Sequence, residues 1–203
     1  MINKELLLQV TKCNAKNLDI HYKSIIEAME KYNIDSSKRV AAFLANVMHE
    51  TGGLKSFEEN LKYSESGLLA TFKSRVTPEE AKVLAKKPEL IANKVYGGRY
   101  GNTAPEDGWK YRGRGIFQVT FKDNYEKIGK LLKVDLVNNP DLLTKEPYAA
   151  LSAGAFWNSN NLNSLADKED MKAITKKING GTNGLEDRIH YYDLILTALN
   201  ELT

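Results

Sequence analysis

The chain has 203 residues, 42% of them apolar and 27% charged, the composition of a globular protein able to bury a sizeable core. Lys and Arg number 29 against 26 Asp and Glu, a net charge of +3 with no basic block, which argues against a nucleic-acid-binding face. A single cysteine, Cys13, excludes an intrachain disulfide scaffold, and no apolar run approaches the length of a membrane span.

Apolar residues recur at helical spacing nearly throughout. Tyr22, Ile25, Ile26, Met29 and Tyr32 mark one face of a first long helix. Ser36 or Ser37 is placed to cap a second, whose stripe is Val40, Phe43, Leu44, Val47 and Met48. That helix closes on His49-Glu50-Thr51-Gly52-Gly53, and two further acids, Glu58 and Glu59, come from the loop beyond. Thr77-Pro78-Glu79-Glu80 reads as a capping box with proline at the first helical position, opening a helix through Leu84. Pro88 breaks it, and a short turn runs on to Val95 before Gly97-Gly98.

From Gly97 to Gly115 the chain is glycine-rich and least helical. The alternation in Ile116-Phe117-Gln118-Val119-Thr120 predicts a short strand or extended segment. A helix bearing Tyr125, Ile128, Leu131 and Leu132 follows, then one opened by Pro147 with Ala150, Ala153, Gly154 and Trp157 on its packed face. Asp167 or Asp170 caps a helix with Met171, Ile174 and Ile178, ended by Gly180-Gly181. The last helix carries Leu185, Ile189, Tyr192, Leu196 and Leu199. With no repeat, linker or low-complexity tract, residues 1–203 read as a single mainly α domain with at most a short β segment.

Two separated carboxylates are what hydrolysis of a glycosidic bond requires, one to protonate the leaving oxygen and one to activate water. Glu50, at the end of its helix, and an acid of the Glu58-Glu59 pair meet that need, and the sequence alone leaves open which of the pair serves. Nearby Asn60, Tyr63 and Ser64 supply groups of the kind that line sugar subsites. If residues 116–120 are extended, Gln118 and Thr120 share one face, an amide and a hydroxyl able to hold a water or an N-acetyl group. Trp109 and Tyr111 are either sugar-stacking rings or anchors of the glycine-rich loop. Zinc chemistry is not expected: the position four residues after His49 is Gly53, and the chain has three histidines in all. No Gly-x-Ser-x-Gly elbow points to a serine nucleophile.

Four ordered segments together resemble glycoside hydrolase family 19, the plant-type chitinases and the bacteriophage endolysins of the same lysozyme-like fold. They are Ala41–Ala45 through Gly53 with Glu59–Ser64, Val95–Asn102, Tyr111–Thr120 with Asn124-Tyr125, and Ile178–Arg188, with Ala153–Trp157 completing the match. The resemblance implies a helical, two-lobed domain with a central substrate cleft, with Glu50 as general acid and Glu59 as general base of an inverting reaction. It implies that Thr120 helps to hold the attacking water, that Gln118, Asn124 and Asn179 contact substrate, and that Arg188 lies near the acid. Tyr63 and Tyr111 are added as candidate substrate-binding residues. The nine-residue gap between the acids and the lone Cys13 depart from plant chitinases and favour a murein-cleaving lysin.

The expected activity is therefore hydrolysis of β-1,4 bonds in peptidoglycan glycan strands, as an N-acetylmuramidase that lyses bacteria. The alternatives are a chitinase acting on GlcNAc polymers, a non-catalytic wall-binding module, and a peptide-bond lysin. No metal or organic cofactor, nucleic-acid partner or membrane insertion is expected, and the chain is expected to act as a monomer. Residues 1–9 lack the features of a signal peptide, which predicts accumulation in the host cytoplasm and export through a separate pore-forming protein to the periplasm and wall.

Overall fold

Helices dominate because the polar and apolar residues alternate with the helical period and the chain supplies its own caps. The computed structural model describes residues 2–201. In chain order its helices are α1 (Lys4–Thr11), α2 (Ala15–Lys31), α3 (Ser37–Thr51), α4 (Glu65–Thr71), α5 (Pro78–Leu84), α6 (Pro88–Tyr96), α7 (Asp107–Lys110) and α8 (Lys122–Leu132). After a 3-10 turn at Pro140–Thr144 come α9 (Tyr148–Ser159), α10 (Leu162–Asp167), α11 (Met171–Asn179) and α12 (Leu185–Asn200). Two isolated antiparallel bridges, Glu58 with Arg114 and Arg114 with Val119, are the β structure among the described residues. The mainly helical, lysozyme-like class read from the sequence is the one observed. No helix among the described residues is long and apolar enough to cross a membrane.

The chain forms two compact units. The first gathers the described residues up to Phe57, then Gly115–Phe117, then those from Leu143 onward; the second holds Glu58–Arg114 and Gln118–Leu142. In the first unit α3 is the central element. Every side chain from Val40 to Met48 is buried, and α12 and α10 pack on it. Phe43 meets Trp157 of α9 edge to face at 5.3 Å and Phe117 at 5.9 Å. Side chains of this kind each contribute about 1.5–3 kcal/mol when fully buried. In the second unit Leu61, Leu68, Val76, Ala81, Ile91, Ala92 and Val95 form a smaller core, rimmed by Tyr63, Phe72, Tyr96 and Trp109.

Ser36 is the cap of α3, its side chain accepting from Arg39 N, and the Thr77–Glu80 capping box opens α5 as expected. Asp170, rather than Asp167, caps α11. Four expectations need correction. Pro88 starts a full helix, α6, because a residue without an N–H is at no loss in the first turn. Residues 115–118 are a turn, not a strand: Gly115 and Gln118 both adopt positive φ, and paired hydrogen bonds between Arg114 and Val119 close the loop. Leu131 is 48% exposed, off the buried face of α8. The buried face of α12 runs through Arg188, Tyr192, Ile195, Ala198 and Leu199, with Ile189 turned outward.

Candidate active site

Glu50 lies in the last turn of α3, one turn beyond Asn46, so the two side chains share a face. Gly52 ends the helix in the left-handed conformation at φ +59°, with its N–H and that of Gly53 returning to His49 O and Met48 O. On α12, Arg188 is fully buried. Its Nη1 donates to Asn46 Oδ1 at 2.7 Å and its Nη2 donates to Glu50 Oε1. Asn46 completes its own bonding by donating from Nδ2 to Ala42 O at 2.8 Å. The Glu50 carboxyl, with a side chain 15% exposed, meets the buried guanidinium, and Arg188 fixes its orientation. Arg188 Nε has no acceptor among the described residues. One residue earlier on each helix, His49 Nδ1 stands 2.6 Å from Asp187 Oδ2, so α3 and α12 are tied by two successive pairs.

In the second unit the neighbouring acids have different settings. Glu58 pairs with Arg112, whose guanidinium also lies 3.7 Å over the Trp109 ring. Glu59 is held by neutral donors: Gly113 N–H to Oε1 at 2.6 Å and Tyr96 O–H to Oε2 at 2.8 Å. Its backbone N–H donates to Gly113 O at 3.0 Å. Burial, reinforced by the Glu59 charge, pushes the Tyr96 phenol well above its ordinary value, so it remains a proton donor to the carboxylate. Three side-chain ends crowd the Cα of Gly113. A Cβ there would sit 2.7 Å from Gln118 Oε1, 3.2 Å from Thr120 Oγ1 and 3.3 Å from Glu59 Cδ. An amide, a hydroxyl and a carboxylate thus converge on one bare backbone position. This is a polar cluster able to orient a water beside a base.

Residues 8–174 match the glycoside hydrolase family 19 model, described as chitinase class I. The chain belongs to glycoside hydrolase family 19. It is 38% identical over 188 residues to a glycosyl hydrolase family 19 domain-containing protein of Haemophilus influenzae, covering 89% of this chain and 90% of that one. An endochitinase of Pisum sativum is 29% identical over 187 residues, and the match spans 76% of this chain but about half, 51%, of the pea protein. A solved bacterial family 19 chitinase superposes with a TM-score of 0.65 over 98% of this chain and 94% of that one, at 24% identity, and shares the fold.

The family 19 enzyme described here brings Glu59, Gln118 and Thr120 together around Gly113, and Asn124 beside them, its Nδ2 donating to Thr120 O at 2.8 Å. Glu50 and Arg188 form one cluster in the first unit, where Asn179 stands exposed at the end of α11. Tyr63 is half-buried, edge to face with Phe72 at 5.3 Å. Tyr111 is a correction: 1% exposed, with its OH donating to Val137 O, it anchors the glycine-rich loop and offers no face to a sugar. Asn46, Tyr96 and Gly113 were not foreseen. Asn46 had a signal, a polar residue inside the apolar stripe of α3, whereas Tyr96 sits unremarked at a helix end and Gly113 has no side chain to notice.

Proposed function

We propose that this family 19 glycoside hydrolase cleaves β-1,4 bonds in the glycan strands of bacterial peptidoglycan, as an N-acetylmuramidase that brings about lysis. Glu50 protonates the bridging oxygen and Glu59 takes a proton from water on the opposite face of the sugar, inverting the anomeric centre. The observation that carries the acid–base reading is the contrast between the two carboxylates. One is fixed to a buried guanidinium, and the other is cradled by an amide N–H and a phenol beside Gln118 and Thr120. The murein reading is supported by the near end-to-end match to a bacterial relative and by the lone Cys13. In this reading the enzyme accumulates in the host cytoplasm as a monomer and reaches the wall through a separate pore-forming protein.

The pea endochitinase favours a second reading, hydrolysis of GlcNAc polymers. Mass spectrometry of digested murein separates the two. A muramidase leaves MurNAc at each new reducing end, and fragments ending in GlcNAc, or release from chitin alone, reject the first reading. Glu50→Gln and Glu59→Gln are each expected to lower kcat by about 10²–10⁴-fold. Proton NMR of the first product should show the α-anomer, and a β-anomer rules out inversion.

A further inference from the structure

Five aromatic rings of the second unit follow one another edge to face. Tyr63 meets Phe72 at 5.3 Å, Phe72 meets Tyr96 at 6.5 Å, Tyr96 meets Phe121 at 5.3 Å, and Phe121 meets Tyr100 at 5.0 Å between centroids. The middle ring, Tyr96, carries the hydroxyl bound to Glu59. The first four rings are half-buried, and three of them rim the small core. Tyr100 is different, at 62% exposed.

Its exposure is not that of a loose loop tip. Tyr100 has φ +42° and Phe121 φ +73°, a region that bulky side chains avoid. Such strain persists only where the surroundings over-determine it, and here they do. Tyr100 O accepts from Asp123 N at 3.1 Å. Asn102, fully buried beneath the loop, donates to Tyr96 O and accepts from Lys122 N. The Arg99 guanidinium lies 5.5 Å from the Tyr100 centroid and 5.1 Å from that of Phe121, and its Nη1 is tied to Val95 O. A cation therefore backs one side of a ring that is otherwise open to solvent. The exposed ring contributes little to burial, so the fold does not call for an aromatic side chain at this position.

We propose that Tyr100 is a stacking platform for a hexopyranose ring of the substrate strand, a subsite set apart from the bond that is cleaved. The assignment rests on the reading of Glu59 as base, since the ring series links Tyr100 to that carboxylate. The ligand is the apolar C–H face of an N-acetylhexosamine in a β-linked polymer, and the subsite makes the enzyme sensitive to strand length.

The test compares wild type with Tyr100→Phe, Tyr100→Ala and Tyr100→Asn; asparagine tolerates positive φ and so removes the ring without disturbing the backbone. Two probes are used, chitohexaose and linear GlcNAc–MurNAc strands freed from murein. In the otherwise native enzyme, the Ala and Asn variants should raise KM on six-sugar strands roughly tenfold with kcat retained, while Phe behaves as wild type. In a Glu59→Gln background, calorimetry should show the same weakening of binding without turnover. Unchanged KM and unchanged affinity in folded Tyr100→Asn overturn the subsite. If Glu59→Gln hydrolyses at the native rate, the base reading fails, and the KM comparison in the otherwise native enzyme alone judges Tyr100. A wild-type enzyme that binds neither probe overturns both.

Discussion

A single methyl group at Gly113 is expected to disturb the setting of Glu59 while sparing most of the fold. Its Cβ would push aside Gln118 Oε1 and press on Thr120 Oγ1 and the Glu59 carboxyl, shifting the groups around the N–H bond to Oε1. Gly113→Ala should cost about 10²-fold in kcat, the scale of a misplacement near 1 Å, against about 1–3 kcal/mol of stability from overpacking. Steady-state kinetics beside urea unfolding gives both numbers, and a normal kcat would contradict the crowding. Beside Glu50, Asn46→Ala removes the acceptor of Arg188 Nη1 inside the core. It should destabilise by about 1–3 kcal/mol in urea, the cost of a buried donor left unmade. Spacing singles out Glu50 as a candidate, but it does not separate Glu58 from Glu59. Adjacent acids differ only in what comes to meet them, and Arg112, Gly113 and Tyr96 arrive from distant parts of the chain.

Helices whose signals are local were legible. The Thr77 capping box is read from four consecutive residues, and Thr77→Ala should cost about 1 kcal/mol in thermal or urea unfolding with kcat untouched, because it removes a cap far in sequence from the acids. Short helices without a capping box were not legible. α1 buries only Leu7 and Thr11, and α4 only Leu68, too few positions to display a period. α12 was found but rotated: a reading by hydrophobicity chose Ile189, whereas the position one residue earlier is filled by a buried arginine. The 116–120 segment failed for a related reason. Ile116 and Phe117 are both buried, so two adjacent apolar residues point inward from a turn, and alternation had no meaning there.

The whole molecule should be most stable on a plateau between the carboxylate and phenol ranges. Hydrogen bonds from Arg39 and Lys38 hold Asp167 and Glu169 below the ordinary carboxylate range. These acids bind protons more weakly when folded, so their contribution is complete above about pH 4 and fades as pH falls through the folded values. Burial, then Glu169, pushes the Tyr192 phenol up to about 12, and burial moves Tyr96 and Tyr125 in the same direction. Those groups keep their protons longer when folded, so their contribution is complete below about pH 10 and is lost as pH rises beyond it. Calorimetric Tm should therefore drop on both flanks, gently on the acid side because those ion pairs are exposed and screened by salt. A Tm still rising above pH 11 would contradict the phenol assignment.

The distance along the chain between Glu50 and Arg188, 138 residues, has a temporal side. During translation, α3 leaves the ribosome long before α12 exists, and pairing across so wide an interval is intrinsically slow. Until the last helix docks, the Glu50 carboxyl lacks its Arg188 partner. On the role proposed for Glu50, hydrolytic competence arrives late in biosynthesis, and a nascent copy is a dormant one.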